Sequence, residues 1–77
     1  MAITIKAAGH LRLRMPAEQA EVRLDDAAVG DVAAAVTRLG IALEKIGFAR
    51  VNGQTANLDH PLTDGDCVEL FPRIGGG

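Results

Sequence analysis

Residues 63–72 read TDGDCVELFP, a turn signal followed directly by an alternating strand. The Asp-Gly-Asp triplet at residues 64–66 is typical of a turn. Pro72 closes the strand at residues 67–71, because proline has no backbone N–H to donate to a sheet. We expect this strand to lie centrally and parallel to the first strand of the chain, so that the sheet firmly holds the residues that follow it.

A hairpin precedes this strand. Residues 48–51 form a short apolar-rich run, and Asn52-Gly53 follows it as the strongest short-range hairpin signal. Residues 54–56 are then predicted to be a short returning strand.

The first part of the chain also alternates. Residues 3–7 have the two-residue period of a half-buried strand. The same alternation resumes at residues 11–15, after a bend at Gly9 and His10, and predicts extended chain up to Pro16. Residues 21–24 are predicted to pair with the first strand in antiparallel fashion.

A helix is predicted between these strands and the hairpin. Apolar residues at spacings of three and four form one stripe: Val29, Val32, Val36 and Leu39. Asp31 in the first turn complements the helix dipole, and Gly40 is a suitable terminator. The expected N-cap is Ala27 or Ala28, neither of which has a capping side chain. The order of elements predicts an α+β fold, with a mixed sheet of four or five strands packed on one main helix.

Composition narrows the classes of function. The chain has 77 residues, enough for one domain, and a net charge of −2 with no basic run, which argues against nucleic acid as a direct partner. No apolar run approaches the roughly 18–20 residues that span a bilayer. There is no signal peptide pattern after Met1, so we expect a cytoplasmic domain without a membrane partner.

Conventional catalytic constellations are absent from the sequence. His10 and His60 are far apart and each lies beside a turn, so solvated loop histidines are a better interpretation than a metal pair. The single cysteine, Cys67, excludes an intramolecular disulfide and is better read as a strand residue than as a nucleophile. We therefore expect no metal site and no bound cofactor.

The glycines at residues 75–77 are the chemically informative feature. Glycine is about 7% of average sequence, so three together at this terminus have a chance of order 10⁻³ to 10⁻⁴. Without a Cβ, Gly75 and Gly76 can thread through a narrow channel of another protein. The reactive group would be the α-carboxylate of Gly77, ionised at neutral pH and in need of activation, most simply as an acyl adenylate. Sulfur or an amine could then take the acyl group.

Several segments together resemble the ubiquitin-like sulfur carriers of the MoaD/ThiS type, which include the small subunit of molybdopterin synthase and the thiamine-pathway carrier. They are Val29-Gly30-Asp31-Val32, Val51-Asn52-Gly53, the turn and strand at residues 62–72, and the Gly76-Gly77 end. The resemblance covers nearly the whole chain. It implies a β-grasp fold over residues 1–72 with a flexible glycine tail at residues 73–77.

The resemblance also implies a function and partners. A ubiquitin-activating-type enzyme would use ATP to adenylate Gly77, and the resulting thiocarboxylate would donate sulfur to a synthase or sulfurtransferase. The acceptor could be a molybdopterin or tungstopterin precursor, thiazole in thiamine synthesis, or a related thiolation target. Such a chain is a carrier and not an enzyme by itself, although it can be the small subunit of one. Two alternatives stay open: a modifier joined to lysines through Gly77, and a non-covalent interaction module.

The strand alternation predicts a partner-binding face. If Ala49 and Val51 face the core, Phe48 and Arg50 face outward, and the same argument places Phe71 outward on the last strand. Aromatic and arginine side chains are the usual anchors of interfaces. We therefore predict that these three residues, with Arg73 and Ile74 beside the tail, dock the activating enzyme.

Overall fold

The computed structural model describes residues 2–25 and 29–73. Five strands form one sheet in the order β2-β1-β5-β3-β4, with one α-helix, α1, packed on it. Their bounds are β1 Ile3–Ala7, β2 Glu21–Leu24, α1 Val32–Arg38, β3 Ile46–Val51, β4 Gln54–Ala56 and β5 Cys67–Pro72. Three short 3₁₀-helices lie at Gly9–Arg14, Pro16–Glu18 and Leu43–Lys45. This arrangement confirms the α+β prediction and its mixed sheet.

The last strand is central, as predicted. β5 pairs in parallel with β1, placing Val68 beside Ile5, and antiparallel with β3, placing Val68 beside Val51. β1 also pairs antiparallel with β2. β5 therefore has a neighbour on each side as far as Leu70, and at its end Pro72 pairs with Ile46 of β3.

One face of the sheet packs against α1 and forms the core. The largest of the fully buried side chains there are Ile3, Ile5, Leu11, Val32, Val36, Val68 and Leu70. They alternate along each strand with residues of the other face, which is open to solvent and which we call the outer face. Among the described residues, no helix has the length and apolarity to cross a bilayer.

Residues 11–15 are not extended, so that prediction was wrong. The chain leaves the sheet after the N–H of Ala8 donates to the carbonyl of Leu70, and then winds into the 3₁₀-helix Gly9–Arg14. Leu11 and Met15 are buried while Leu13 is 59% exposed. Leu11 lies within the 3₁₀-helix, whereas Met15 is its C-cap with extended φ and ψ, so the two reach the core from different conformations and not from one strand.

The helix begins later than predicted, and its cap is Asp31. The carboxylate of Asp31 accepts the N–H of Ala34 at 2.7 Å. The N–H groups of Val32 and Ala33 donate to the carbonyls of His60 and Leu58, so the loop before β5 satisfies the rest of the first turn. The predicted caps, Ala27 and Ala28, lie outside the described residues. Gly40 follows the helix with φ of +81°, as expected of a terminator.

The hairpin forms as predicted, although β3 begins two residues earlier, at Ile46. Asn52 and Gly53 both have positive φ, +53° and +86°, which is the requirement of a tight type I′ turn. The side chain of Asn52 also ties the hairpin to the central strand, because its Oδ1 accepts the N–H of Cys67 at 3.0 Å.

The side chain of Asp66 stabilises the turn before β5. Its carboxylate accepts the backbone N–H of Thr63 at 2.8 Å and the side-chain amide of Asn52 at 2.9 Å. These two hydrogen bonds, that of Thr63 first, hold the pKa of Asp66 below its usual value. The ionised form of Asp66 is therefore part of the folded structure.

A pH-dependent loss of stability follows. Since the pKa of Asp66 is lowered by folding, its contribution is complete above the unfolded value of about 3.9 and is lost as the pH falls further. We expect Asp66→Asn to lower the free energy of unfolding at pH 7 by about 1 kcal/mol, and the gap to the native chain to shrink below pH 4. Urea unfolding at several pH values measures this gap. Asp59→Asn, at an exposed aspartate, controls for the loss of one charge; a gap at Asp66 that stays constant to pH 2 would contradict the assignment.

Candidate functional site on the outer face and at the tail root

The structure brings the predicted aromatic residues together on the outer face. β3 and β5 are neighbours, and their register places Phe48 opposite Phe71 and Arg50 opposite Glu69. The two phenyl rings stack with their centroids 4.4 Å apart and their planes 4° from parallel. Phe48 is 43% exposed and Phe71 is half-buried, so the pair lies outside the core. It forms an apolar patch on an otherwise polar face.

Charged side chains surround the aromatic pair. Lys6 on β1 lies beside Glu69 on β5, which lies beside Arg50 on β3. Lys6 also reaches Glu21 on β2 at 3.9 Å. The guanidinium of Arg50 donates to the carbonyl of Gly53 at 3.0 Å, so it is held toward the hairpin turn. An apolar centre bordered by charges of both signs is typical of a protein-docking surface.

The tail root, Pro72 and Arg73, lies beside this patch. Ile46 pairs with Pro72 while Phe48 pairs with Phe71, so β3 carries one extra residue, Gly47, as a bulge. The bulge explains how Ile46 points into the core while Phe48 points out, although the two are two positions apart.

Gly47 also permits the tail root to approach β3 closely. A Cβ at position 47 would lie 2.6 Å from the carbonyl oxygen of Pro72 and 3.0 Å from the Cα of Arg73, both backbone atoms. On the other side, Pro72 is next to Gly9, where a Cβ would lie 3.5 Å from its Cγ. The N–H of Arg73 donates to the carbonyl of Lys45 at 3.3 Å. Two glycines and one hydrogen bond therefore set the direction in which the chain leaves the sheet.

Substitution of Gly47 by alanine should displace the tail root. A Cβ that meets backbone forces the two segments apart, and we expect a cost of about 1–3 kcal/mol in the free energy of unfolding. Gly30→Ala is the matched control, because a Cβ there meets nothing within 4 Å. Urea unfolding of both variants measures the difference, and equal stabilities would show that the close approach at Gly47 is not needed.

Several predicted site residues lie outside the described residues: Ile74, Gly75, Gly76 and Gly77. Their roles, and the flexibility predicted for the tail, stay predictions. Arg73 is described and is exposed beside the tail root. Sequence reasoning missed Gly47, because it lies just before the predicted strand at residues 48–51; had the strand been predicted from Ile46, as the structure has it, a glycine inside it would have indicated a bulge or a close backbone approach.

The two histidines of the chain are not brought together. His10 lies near the tail root, whereas His60 lies at the other end of the sheet beside Asp66. Within residues 2–25 and 29–73, no three histidine, cysteine, aspartate or glutamate side chains are close enough to hold a metal ion. What the described residues bring together is an exposed apolar patch, Phe48 and Phe71, beside a tail root that packs closely on Gly47.

Sequence comparison places this geometry among known proteins. A family model described as the ThiS family matches residues 9–77. The molybdopterin synthase sulfur carrier subunit of Escherichia coli (strain K12) is 48% identical over 48 residues, which are 60% of this chain and 58% of that protein. The chain thus matches less than two thirds of the length of this curated relative.

Solved structures share the fold. SAMP1 from Haloferax volcanii superposes with a TM-score of 0.74 at 23% identity, covering all of both chains. Urm1 from Trypanosoma brucei gives 0.75 at 24% identity, covering 99% of this chain and 95% of that one. A chain from the complex of subunits 1 and 2 of the molybdopterin-converting factor of Helicobacter pylori 26695 gives 0.63 at 20% identity over all of both chains.

These likenesses show a ubiquitin-like β-grasp fold, so the fold that the sequence motifs implied is confirmed. The family match runs from the turn after β1 through the glycine tail and includes every strand from β2 onward. The resemblance to the MoaD/ThiS-type sulfur carriers is confirmed with it: the chain belongs to the ThiS family.

Proposed function

We propose that this chain is a sulfur carrier whose Gly77 carboxylate is adenylated by a partner enzyme and converted to a thiocarboxylate. The observation that carries the proposal is the ThiS family match, which extends to residue 77 and so includes the glycine tail. The name of the Escherichia coli relative, a sulfur carrier subunit, supports the same role. The protein is a carrier, and the chemistry belongs to its partners.

The geometry at the tail root supports delivery of the tail into another protein. Pro72 is held between Gly9 and Gly47 at the end of the central strand, so the direction of departure is fixed. Four further residues, 74–77, reach roughly 14 Å beyond the tail root at about 3.3–3.6 Å each. That length brings the carboxylate of Gly77 into an enclosed active site while the globular part stays at its entrance.

The proposed reaction has two steps. A carboxylate oxygen of Gly77 attacks the α-phosphorus of ATP, which releases pyrophosphate and leaves an acyl adenylate. A sulfide nucleophile then attacks the acyl carbon and expels AMP, so that a C–S bond replaces the C–O bond to the phosphate. Activation is needed because an ionised carboxylate is a poor electrophile. ATP is consumed by the activating enzyme, and no cofactor resides on the carrier.

The partners follow from the reaction. The first is a ubiquitin-activating-type adenylating enzyme, docked on the patch of Phe48 and Phe71 with Arg50 and Arg73 at its border. The second is a synthase or sulfurtransferase that accepts the sulfur. The name of the Escherichia coli relative favours a molybdopterin synthase as acceptor, with tungstopterin, thiamine and related thiolations as the other destinations. We place the exchange in the cytoplasm, where ATP is supplied.

Intact-mass measurement tests the proposal. The chain is incubated with the activating enzyme encoded in the same genome, ATP and sulfide. A mass increase equal to the exchange of one oxygen for sulfur is the expected result. Adducts on lysines of other proteins would instead support a protein modifier, and an unchanged mass would support a non-covalent module. Omitting ATP is the control, because a non-enzymatic exchange would not depend on it.

A further inference from the structure

A basic groove lies at the tail root. It is a hollow of about 420 Å³ lined by His10, Leu11, Arg14, Glu44, Lys45 and Arg73. Three of these side chains are cationic at neutral pH and one is anionic. No salt bridge within residues 2–25 and 29–73 involves Arg14, Lys45 or Arg73, so their charges are not neutralised by ion pairing there.

Carboxylates gather at the other end of the molecule. β1 and β5 run parallel, so their carboxyl ends meet at the basic groove and their amino ends meet at the turn of Asp64 and Asp66. The carboxylate of Asp64 accepts the N–H of Ala2 at 2.6 Å, which fixes it at that end. Asp25 follows β2 there, because Leu24 pairs with Ile3, and its carboxylate is paired with the guanidinium of Arg23 at 3.1 Å. Asp31, bridged to Pro61, caps the helix at the same end.

The fold therefore separates charge along its strands, although the net charge is only −2. One end, with the basic groove, is positive, and the opposite end is negative. A charge separation of this kind orients a molecule in the field of its partner and raises the rate of productive encounter. Here the positive end is the end from which the tail leaves.

We infer that the basic groove binds a carboxylate-rich surface at the entrance of the activating enzyme's active site. This attraction orients the carrier so that its tail faces the active site as it docks. The inference rests on the proposed function and names the chemistry of the partner's surface. Charge complementarity supports this inference. Arginine and lysine side chains border a concave surface at the tail root, and aspartate or glutamate side chains are the protein groups that pair with them.

Nucleic acid fits the groove less well. Its lining contains no phenylalanine, tyrosine or tryptophan on which a base could stack. A local acidic patch on a protein needs no such stacking surface.

The first test does not require the activating enzyme. Amide NMR signals of the ¹⁵N-labelled chain are followed during titration with hexaglutamate at low salt. We expect the largest shifts at His10, Arg14 and Lys45, and their loss in the Arg14→Gln/Lys45→Gln variant. Shifts spread evenly over the molecule would overturn the inference. So would a uridine hexanucleotide that occupies the groove at lower concentration than hexaglutamate.

The second test measures adenylation itself. At about 0.01 M salt, Arg14→Gln/Lys45→Gln should lower kcat/KM about tenfold, and at high salt the difference should vanish, because steering is screened. The matched control is Ala34→Glu/Gln54→Glu, which changes the net charge by the same amount but at the negative end. Ala34 is the third residue of α1, a position where glutamate is favoured. Equal losses in the two variants would overturn the inference and leave the proposed function standing. A native chain that binds hexaglutamate but is never adenylated would contradict the proposed function instead.

Discussion

Deletion of Gly77 is expected to abolish adenylation and sulfur loading while leaving the fold unchanged. The reacting carboxylate would move to Gly76, about 3.5 Å short of its position in the activating enzyme. A displacement of 1 Å can cost on the order of a hundredfold in rate, so we expect kcat/KM to fall by at least about that factor. The buried core is built from residues 3–70, so the urea midpoint should not change.

Two further variants of the tail serve as controls for this deletion. Gly77→Ala keeps the length of the tail and adds one Cβ, and so separates the effect of reach from the effect of a narrow channel. A chain with one additional glycine displaces the carboxylate by one residue in the opposite direction. If the shortened chain were adenylated as fast as the native one, terminal chemistry would not be the function of the protein.

Phe71→Asp is expected to abolish adenylation through loss of docking. Phe71 stacks on Phe48 at 4.4 Å on the outer face, outside the core, so the fold should survive. Loss of the stacked pair should cost about 0.5–1.5 kcal/mol in the free energy of unfolding. Loss of a central interface anchor costs 2 kcal/mol or more, so kcat/KM should fall by roughly thirtyfold or further.

Thr37→Asp is the control for the added charge, because Thr37 is an exposed residue of α1, on the side of the sheet away from the patch. Phe48→Asp tests the same patch from the neighbouring strand and should behave like Phe71→Asp. Circular dichroism and urea unfolding confirm that each variant is folded before its kinetics are read. Adenylation at the native rate by a folded Phe71→Asp chain would reject the patch as the docking surface.

Local patterns predicted the strands well because each pattern had one dominant physical cause. Asn52-Gly53 adopts the two positive φ angles that a tight hairpin needs, and few other dipeptides do so readily. Alternation in β1 and β5 reflects a sheet that is buried on one face and solvated on the other. The outward orientation of Phe48 and Phe71 followed from the same alternation.

The predictions that were wrong have physical causes as well. Alternation at residues 11–15 arose from a 3₁₀-helix and the residue that follows it: Leu11 in the helix and Met15 after it reach the core, and Leu13 does not. Periodicity over only five residues cannot distinguish a strand from such a short helix. The N-cap of α1 was placed too early because Val29 is buried just ahead of the helix and so extends the apolar stripe.

The geometry of the tail root was not predicted, because it depends on contacts between residues that are distant in sequence. Gly47 is needed because Pro72 and Arg73 approach it, and local sequence does not reveal which backbone will approach a given glycine. The basic groove likewise combines His10 and Arg14 with Lys45 and Arg73, whose charges look scattered along the chain. The parallel pairing of β1 with β5 brings His10 and Arg14 close to Arg73, and the antiparallel pairing of β3 with β5 brings Lys45 to the same end.

The location of the incorporated sulfur tests the central claim most directly. Cleavage after Glu69 releases residues 70–77, a peptide that contains neither cysteine nor lysine. After incubation with the activating enzyme, ATP and sulfide, tandem mass spectrometry of this peptide should place one sulfur in exchange for oxygen at Gly77. Sulfur found on Cys67, with residues 70–77 unchanged, would contradict the account.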